Sequence, residues 1–486
     1  MSRRLRLPYV VRGAAFALGT ALLAACAPAV SVAARRVPPP APAPTDTLRL
    51  TLEDALQRAR AQSEEMRLAR AFVKQTEGRV LEELSRALPQ VSGTVTYNRK
   101  LQSIFSGSVP DTSIFGEILK NSPFAAKHTW TADLTAQQLL WSSGKVGAAL
   151  KTARAANRSA HASERESAAD LTYQVRQSYY DAALAQRLVE IAESALAQAR
   201  AHLAQVRAGQ REGSRSEYEL LRAEVDAANQ ETPLVAARNG AEVALLALQR
   251  LVNVPLGQPV RLVPPLGAED GTVPVVTDLS VDVSARPALT AADADVEARR
   301  MAVKVYAGQR WPDLYVSSTL SHQAFPQDLW PQRRQFVRAW DASLRLDVPI
   351  FTGLRVEGQV AQARADYERA RADRDRLREL AAIEAVQTRD ELGRTLSTLL
   401  GRRETVRQAQ RAWELAGVRF TNGMSTQVEV SDARLQLQTA EANEVQALRD
   451  YLVAIAALER AVGHPLPVER RPLTDVTPTP DPRGSR

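Results

Sequence analysis

The sequence predicts an α+β membrane protein. Four amphipathic β-strands per chain join those of other copies in one transmembrane barrel, and a barrel of long α-helices continues it. Three observations predict this. Two stretches of helical periodicity, each doubled back at a glycine, are far longer than globular helices. Each follows a pair of strands in which apolar and polar residues alternate. The whole plan occurs twice within 486 residues.

Residues 1–25 read as a secretory signal peptide. Arg3, Arg4, Arg6 and Arg12 form its basic segment, and Gly13 to Ala25 an apolar segment too short to span a bilayer permanently. It ends in Leu23-Ala24-Ala25-Cys26, which resembles the lipobox of bacterial lipoproteins, whose cysteine is lipidated and becomes the new N-terminus. The other reading is an ordinary cleavage after Val32-Ala33-Ala34, which discards Cys26. Residues 26–50 form a Pro-rich linker, stiffest over 35–44.

The first structural repeat spans 51–253. Thr51 and Asp54 form the acidic version of a capping box. Leu52, Ala55, Leu56, Ala59, Met66, Val73, Val80 and Leu84 carry one helix to about Leu88, which Pro89 ends. The period then becomes two, placing strands at about 90–103 and 127–141 with a loop between them. A helical hairpin follows over 144–253, turning near Gly213. About 66 residues lie between Gly144 and Gly209, a rod of roughly 100 Å at 1.5 Å per residue. Residues 254–285 are a Pro-rich connection crossing the helices. The second repeat, 286–463, has a helix from about Pro287 to Arg310, strands at about 312–325 and 336–351, and a hairpin over 353–463 turning near Gly423. Residues 464–486 read as a disordered tail.

The duplication holds at a constant offset. Trp130 matches Trp340 (340 − 130 = 210), and Gly213 with Gly423, Arg250 with Arg460, Val252 with Val462 and Pro255 with Pro465 keep the same spacing. Pro89 and Pro312 differ by more (312 − 89 = 223), because the first loop is longer. Gly144 and Gly353 are out of step by one, which predicts a single-residue difference at that corner.

Composition narrows the function. The net charge of +8 would suit nucleic acid, but Arg alternates with Asp and Glu along the helices as on a solvated face, which argues against that partner. One cysteine permits no disulfide framework and no cysteine metal cluster. The five histidines are scattered without metal-ligand spacing, so no metal and no cofactor is expected. Gly144-Lys145 lacks the spacing of a phosphate loop, and no nucleophile–base pair is legible, so an enzyme is not expected.

A four-stranded sheet cannot close on itself, and open edges are prohibitive in hydrocarbon. The economical solution is that several chains share one barrel; the other reading is a soluble β-sheet capping a helical stalk. Val91, Val95, Tyr97, Trp130, Leu134, Val316, Leu320, Trp340, Leu344 and Val348 would face lipid, and the Ser/Thr/Asn/Gln face would line water. Arg99 and Arg338 fall on the apolar face and would reach the headgroups. The helices carry narrow apolar seams such as Leu188, Ile191, Ala195, Ala199, Leu203 and Val206.

With Thr51-Leu52-Glu53-Asp54-Ala55-Leu56, Ala285-Arg286-Pro287-Ala288-Leu289, Pro349-Ile350-Phe351-Thr352-Gly353 and the two glycine turns, the chain resembles the TolC-type outer-membrane efflux proteins from Leu48 to about Pro467. The resemblance implies a homotrimer with twelve strands in outer-membrane lipid and a helical tunnel across the periplasm. It also implies a periplasmic adaptor and an inner-membrane pump of the RND or ABC type as partners. The role implied is passive conduction in tripartite efflux or type I secretion. By the family pattern, Phe420, Glu429 and Asp432, with Tyr218 and Glu219 at the first tip, would form the periplasmic gate. Gly209, Gly213, Ser214, Gly423, Met424 and Ser425 would meet the adaptor. Ser425 stands where some relatives carry a gating arginine. The alternative is a periplasmic adaptor lipoprotein with coiled-coil hairpins, but adaptors carry one hairpin inside a split β-domain, not two with two strand pairs.

Overall fold

The computed structural model describes residues 47–102, 126–263, 266, 272–326 and 328–472. The signal peptide, Cys26, most of the linker, the loop over 103–125 and the tail beyond 472 lie outside the described residues. Helix α1 (Leu52–Gln62) opens with the capping box: Asp54 N donates to Thr51 Oγ1 at 3.1 Å and the Asp54 carboxylate returns to Thr51 N. The single helix read as running to Leu88 is two. Ser63 leaves helical geometry (φ −59, ψ 144), ends α1 and caps α2 (Glu64–Ser85) by accepting from Met66 N at 3.3 Å. A serine hydroxyl competes for backbone donors, and Glu64 and Glu65 suit the positive end of a new helix. Hydrophobic periodicity passes through such a break undisturbed.

Four strands follow the expected alternation: β2 (Gln90–Arg99), β3 (His128–Trp141), β6 (Asp313–Ala324) and β7 (Phe336–Asp347). They form one antiparallel sheet in the order β2-β3-β6-β7. Directly opposed residues share a face. Val95 opposes Ala132, Tyr97 opposes Trp130, Leu134 opposes Leu320, and Leu320 opposes Trp340, so the two hairpins present one continuous apolar face. Among the described residues nothing covers it at the edges: Val95 is 74%, Trp340 72% and Leu344 68% exposed. Val348, assigned to this face by alternation, lies just past the end of β7. The other face holds a polar ladder. Ser321 Oγ donates to Asp133 Oδ1 at 2.5 Å, and the Thr135 and Thr319 hydroxyls meet at 3.3 Å.

The long helices start where these strands end. Helix α3 (Lys145–Arg211) and its counterpart α7 (Arg355–Thr421) each have 67 residues. Each begins behind two successive left-handed residues, Ser143-Gly144 in one repeat and Gly353-Leu354 in the other. These corners match at the same offset (353 − 143 = 210). The single-residue difference read at Gly144 and Gly353 is therefore absent: the glycine has changed place within an unchanged two-residue turn. The return arm of the first hairpin is α4 (Glu217–Asn229) and α5 (Glu231–Leu251), and that of the second is α8 (Gln427–Val462). Helix α6 (Pro287–Gly308) opens the second repeat. Among the described residues, no helix is long and apolar enough to cross a membrane.

Two small sheets correct the reading of the linker and the tail. Strand β1 (Leu48–Leu50) pairs in parallel with β4 (Val260–Leu262), so the last residues of the 26–50 linker are structured. Strand β5 (Thr272–Val276) pairs antiparallel with β8 (Val468–Pro472), so the 464–486 tail is not disordered at its start. Proline and charge hide both strands, but the long helices supply an apolar floor. Buried Val273 and Val276 join Leu392, Leu399, Tyr451 and Leu458, while Leu50 and Leu262 join Leu171, Val175 and Tyr179. A tyrosine ties each sheet down. Tyr451 Oη donates to the Pro274 carbonyl at 2.7 Å, and Tyr179 Oη to those of Leu50 (3.4 Å) and Val263 (3.3 Å). Burial pushes both phenols up to about 12.

An ion network joins the repeats at the same level. Buried Arg286 donates to Glu384 Oε2 at 2.6 Å and Glu166 Oε1 at 3.4 Å, tying the start of α6 to both long helices. Arg460 on α8 reaches Glu384 Oε1 at 3.2 Å and also pairs with Asp170 on α3. Gly463 ends α8 at φ +81, where an added Cβ would stand 2.6 Å from Arg286 Cα. Gly213 has a similar φ of +75 but open space around it. Left-handed geometry costs a non-glycine residue about 1–2 kcal/mol, and only Gly463 adds a backbone collision. Gly463→Ala will therefore lower the thermal midpoint of the detergent-purified protein more than Gly213→Ala, and equal midpoints would contradict this packing.

Candidate functional site

The two hairpin tips are built alike. In each, the long helix ends in a left-handed glycine, and the next residue donates back five positions: Ser214 N to the Gly209 carbonyl at 2.9 Å, Met424 N to that of Arg419 at 2.8 Å. Each return helix is capped by a hydroxyl that accepts from the residue three on. Ser216 accepts from Glu219 N at 3.3 Å and Thr426 from Glu429 N at 3.4 Å. The adaptor-facing candidates Gly209, Gly213, Ser214, Gly423, Met424 and Ser425 make up these turns. Met424 is 62% exposed, an apolar side chain held at a tip.

The gate candidates have unequal surroundings. Glu219 closes a capping box onto Ser216 N at 2.8 Å and pairs with Arg215 at 3.1 Å. The Ser216 backbone N–H, with help from Arg215, holds its carboxyl below the ordinary range. Tyr218 is exposed, its hydroxyl 3.4 Å from Arg222 Nη1. Glu429 is exposed but accepts from Ser425 Oγ at 2.7 Å, and Asp432, one turn on, is exposed. Phe420 is half-buried between the hairpins, with the Arg215 guanidinium 4.4 Å above its ring and the His202 ring 5.7 Å away. Arg215 thus stands between Glu219 and Phe420 and connects the two tips.

Sequence reading missed the groove behind Phe420. It is about 560 Å³ and is lined by His202, Trp413, Phe420, Val430 and Arg434 among others. Ser431 Oγ donates to Asp226 Oδ2 at 3.0 Å, joining α8 to α4 across the hairpins. Burial lowers the His202 imidazole from its ordinary value, and Arg434 and Arg215 lower it further against the pull of Asp226. Its Nε2 has no hydrogen-bond partner among the described residues. The offset itself carried the missing signal. At 210 residues, His202 matches Ala412, Arg215 matches Ser425, Asp226 matches Gln436 and Arg434 matches Glu224, so the contact is made where the repeats have diverged.

The geometry describes a channel wall: an amphipathic sheet with two free edges, long helices running from its base, and paired tips at their far ends. The matches agree with it. Residues 55–254 and 283–464 match the family model described as outer membrane efflux protein, and the chain belongs to that family. It is an outer-membrane efflux channel that extends into the periplasm. No curated protein gives a significant match. Solved structures share the fold, among them three outer-membrane proteins. The outer-membrane channel OprN is 18% identical, over 85% of this chain and 89% of its own, with a TM-score of 0.68. The outer membrane protein VceC from Vibrio cholerae is 20% identical, over 85% and 96%, at 0.69. The Campylobacter jejuni CmeC outer membrane channel is 16% identical, over 85% and 85%, at 0.70.

The tip contact carries a pH dependence. A histidine lowered while the two tips are in contact stays neutral there, and parted tips would take the proton first. The contact is therefore fully stable above the ordinary value of 6.5 and weakens as the pH falls below it. Hydrogen exchange over residues 413–434, corrected for intrinsic rates, will show less protection at pH 5.5 than at 7.5. His202→Gln will abolish the difference, and equal protection in the parent protein would contradict it.

Proposed function

We propose that three copies of this chain close one twelve-stranded barrel across the outer membrane, and that their helices surround a tunnel beneath it. Substrates then pass passively from a periplasmic adaptor and an inner-membrane pump, of the RND or ABC type, to the exterior. The observation that carries this reading is the sheet order β2-β3-β6-β7. It leaves β2 and β7 unpaired on one side each, beneath an uncovered apolar face, and only further copies can satisfy both. Polar residues of the opposite face, with Asp133 and Asp341, line the pore. The hairpin turns at Gly209–Ser214 and Gly423–Ser425 seat the adaptor, with Met424 as an apolar contact.

The tips form the periplasmic gate. Phe420 under Arg215 and the Ser431–Asp226 bond hold the two hairpins of one copy together, and release of both lets the tips part. Threefold repetition places Glu429 and Asp432 in carboxylate rings at the entrance, a physical cause of cation preference. Asp432 carries most of it, because Glu429 is already engaged by Ser425. In planar bilayers under a salt gradient, Glu429→Ala/Asp432→Ala will shift the reversal potential toward non-selectivity, and Asp432→Ala alone will give most of the shift. An unchanged reversal potential in the double variant would sink the carboxylate-ring assignment.

A further inference from the structure

The outward, apolar face of the sheet carries two full charges, both arginine. Arg99 is the last residue of β2, and Arg338 is the third of β7. Every aspartate of the four strands, Asp133, Asp313, Asp341 and Asp347, stands on the opposite face by register. The two arginines share further features. Both lie at the loop end of the sheet, where β2 finishes and β7 begins. Both are exposed and sit on the free edge strands. Each opposes a histidine, Arg99 facing His128 and Arg338 facing His322. Aromatic rings mark the level. Tyr97 packs on Trp130 at 4.8 Å between ring centres, Trp130 on Trp330 at 5.5 Å, and Trp130 Nε1 donates to the Leu329 carbonyl at 2.9 Å. Tyrosine and tryptophan in such positions settle at the headgroup boundary.

This inference rests on the shared barrel proposed above. All three strand pairings are antiparallel, so β7 runs opposite to β2, and β7 of one copy continues the antiparallel order beside β2 of the next. Each seam then gathers Arg338 from one copy and Arg99 from its neighbour, on the lipid side and at the same end. Like charges on adjoining strands repel, and at a partly dehydrated boundary the described strand residues of this face include no carboxylate to offset them. A phosphate can: guanidinium groups take phosphate oxygens through paired, charge-assisted hydrogen bonds.

We propose that each seam between copies binds the phosphorylated headgroup of an outer-leaflet lipid, with Arg99 of one copy and Arg338 of the next as its ligands. The lipid bridges the copies and tightens the assembly. The occupant is a lipid and not free phosphate, because the arginines stand at the rim of the apolar face, where acyl chains pack below the headgroup.

The test is the dissociation temperature of the detergent-purified oligomer, followed on gels run without boiling. The additions are diphosphoryl lipid A, the same lipid after removal of its phosphates, and inorganic phosphate. The expected result is a rise of several degrees with diphosphoryl lipid A and none with the other two. Arg99→Gln/Arg338→Gln loses the rise, Arg99→Lys/Arg338→Lys keeps part of it, and Arg338→Gln alone reduces it. An equal rise with dephosphorylated lipid or with inorganic phosphate overturns the proposal, as does a rise that survives the double glutamine variant. A protein that is monomeric under every condition overturns the shared barrel and this site with it, whereas an oligomer indifferent to lipid phosphate overturns this site alone.

Discussion

The constraint on which the structure depends is the pair of unpaired edges on its four-stranded sheet. Backbone N–H and C=O groups left open in hydrocarbon cost several kcal/mol each. A sheet of β2-β3-β6-β7 cannot satisfy them within itself. In the proposed barrel, closure by identical copies would satisfy every edge, and the remaining features would follow. In that barrel, lipid would cover the apolar face. The polar ladder of Asp133, Ser321, Thr135 and Thr319 would face the water inside it. The helices must leave the sheet at one end, which the double left-handed corners at Ser143-Gly144 and Gly353-Leu354 accomplish in both repeats.

Below the sheet, the burden passes to packing between the repeats. Arg286, with Glu166 on α3 and Glu384 on α7, fastens the second repeat's opening to both long helices, and Arg460 adds Asp170. Arg286 is the buried member, and removing its partners would leave its charge uncompensated, typically at about 3–5 kcal/mol. The two small sheets lie against apolar floors at this level, each pinned by one tyrosine hydroxyl. The middle of the long helices is therefore held by charge, core and sheet together. The tips rely on a cation over Phe420 and one hydroxyl–carboxylate bond, a distribution that suits a fixed waist and movable ends.

Much of this was legible in sequence because it is periodic. The strand alternation survived translation into register almost residue by residue, and the 210-residue offset located matched turns at Gly213 and Gly423. What escaped was aperiodic. Ser63 breaks a helix without breaking its hydrophobic stripe. Val468–Pro472 forms a strand only because Thr272–Val276 is placed beside it. The tip candidates chosen by family pattern include residues that chiefly build the turns, such as Glu219 in its capping box. The residues that join the tips, His202, Arg215, Asp226 and Arg434, carry no motif and differ from their repeat partners. Divergence between repeats, rather than likeness, marked that contact.

Single-particle imaging of the detergent-purified chain tests the shared barrel most directly. The predicted result is a three-fold particle with a detergent belt at one end and a helical tube of roughly 100 Å beneath it, the length of a 67-residue helix. Monomeric rods without a belt would contradict it, because the edges of β2 and β7 would then have found some other partner.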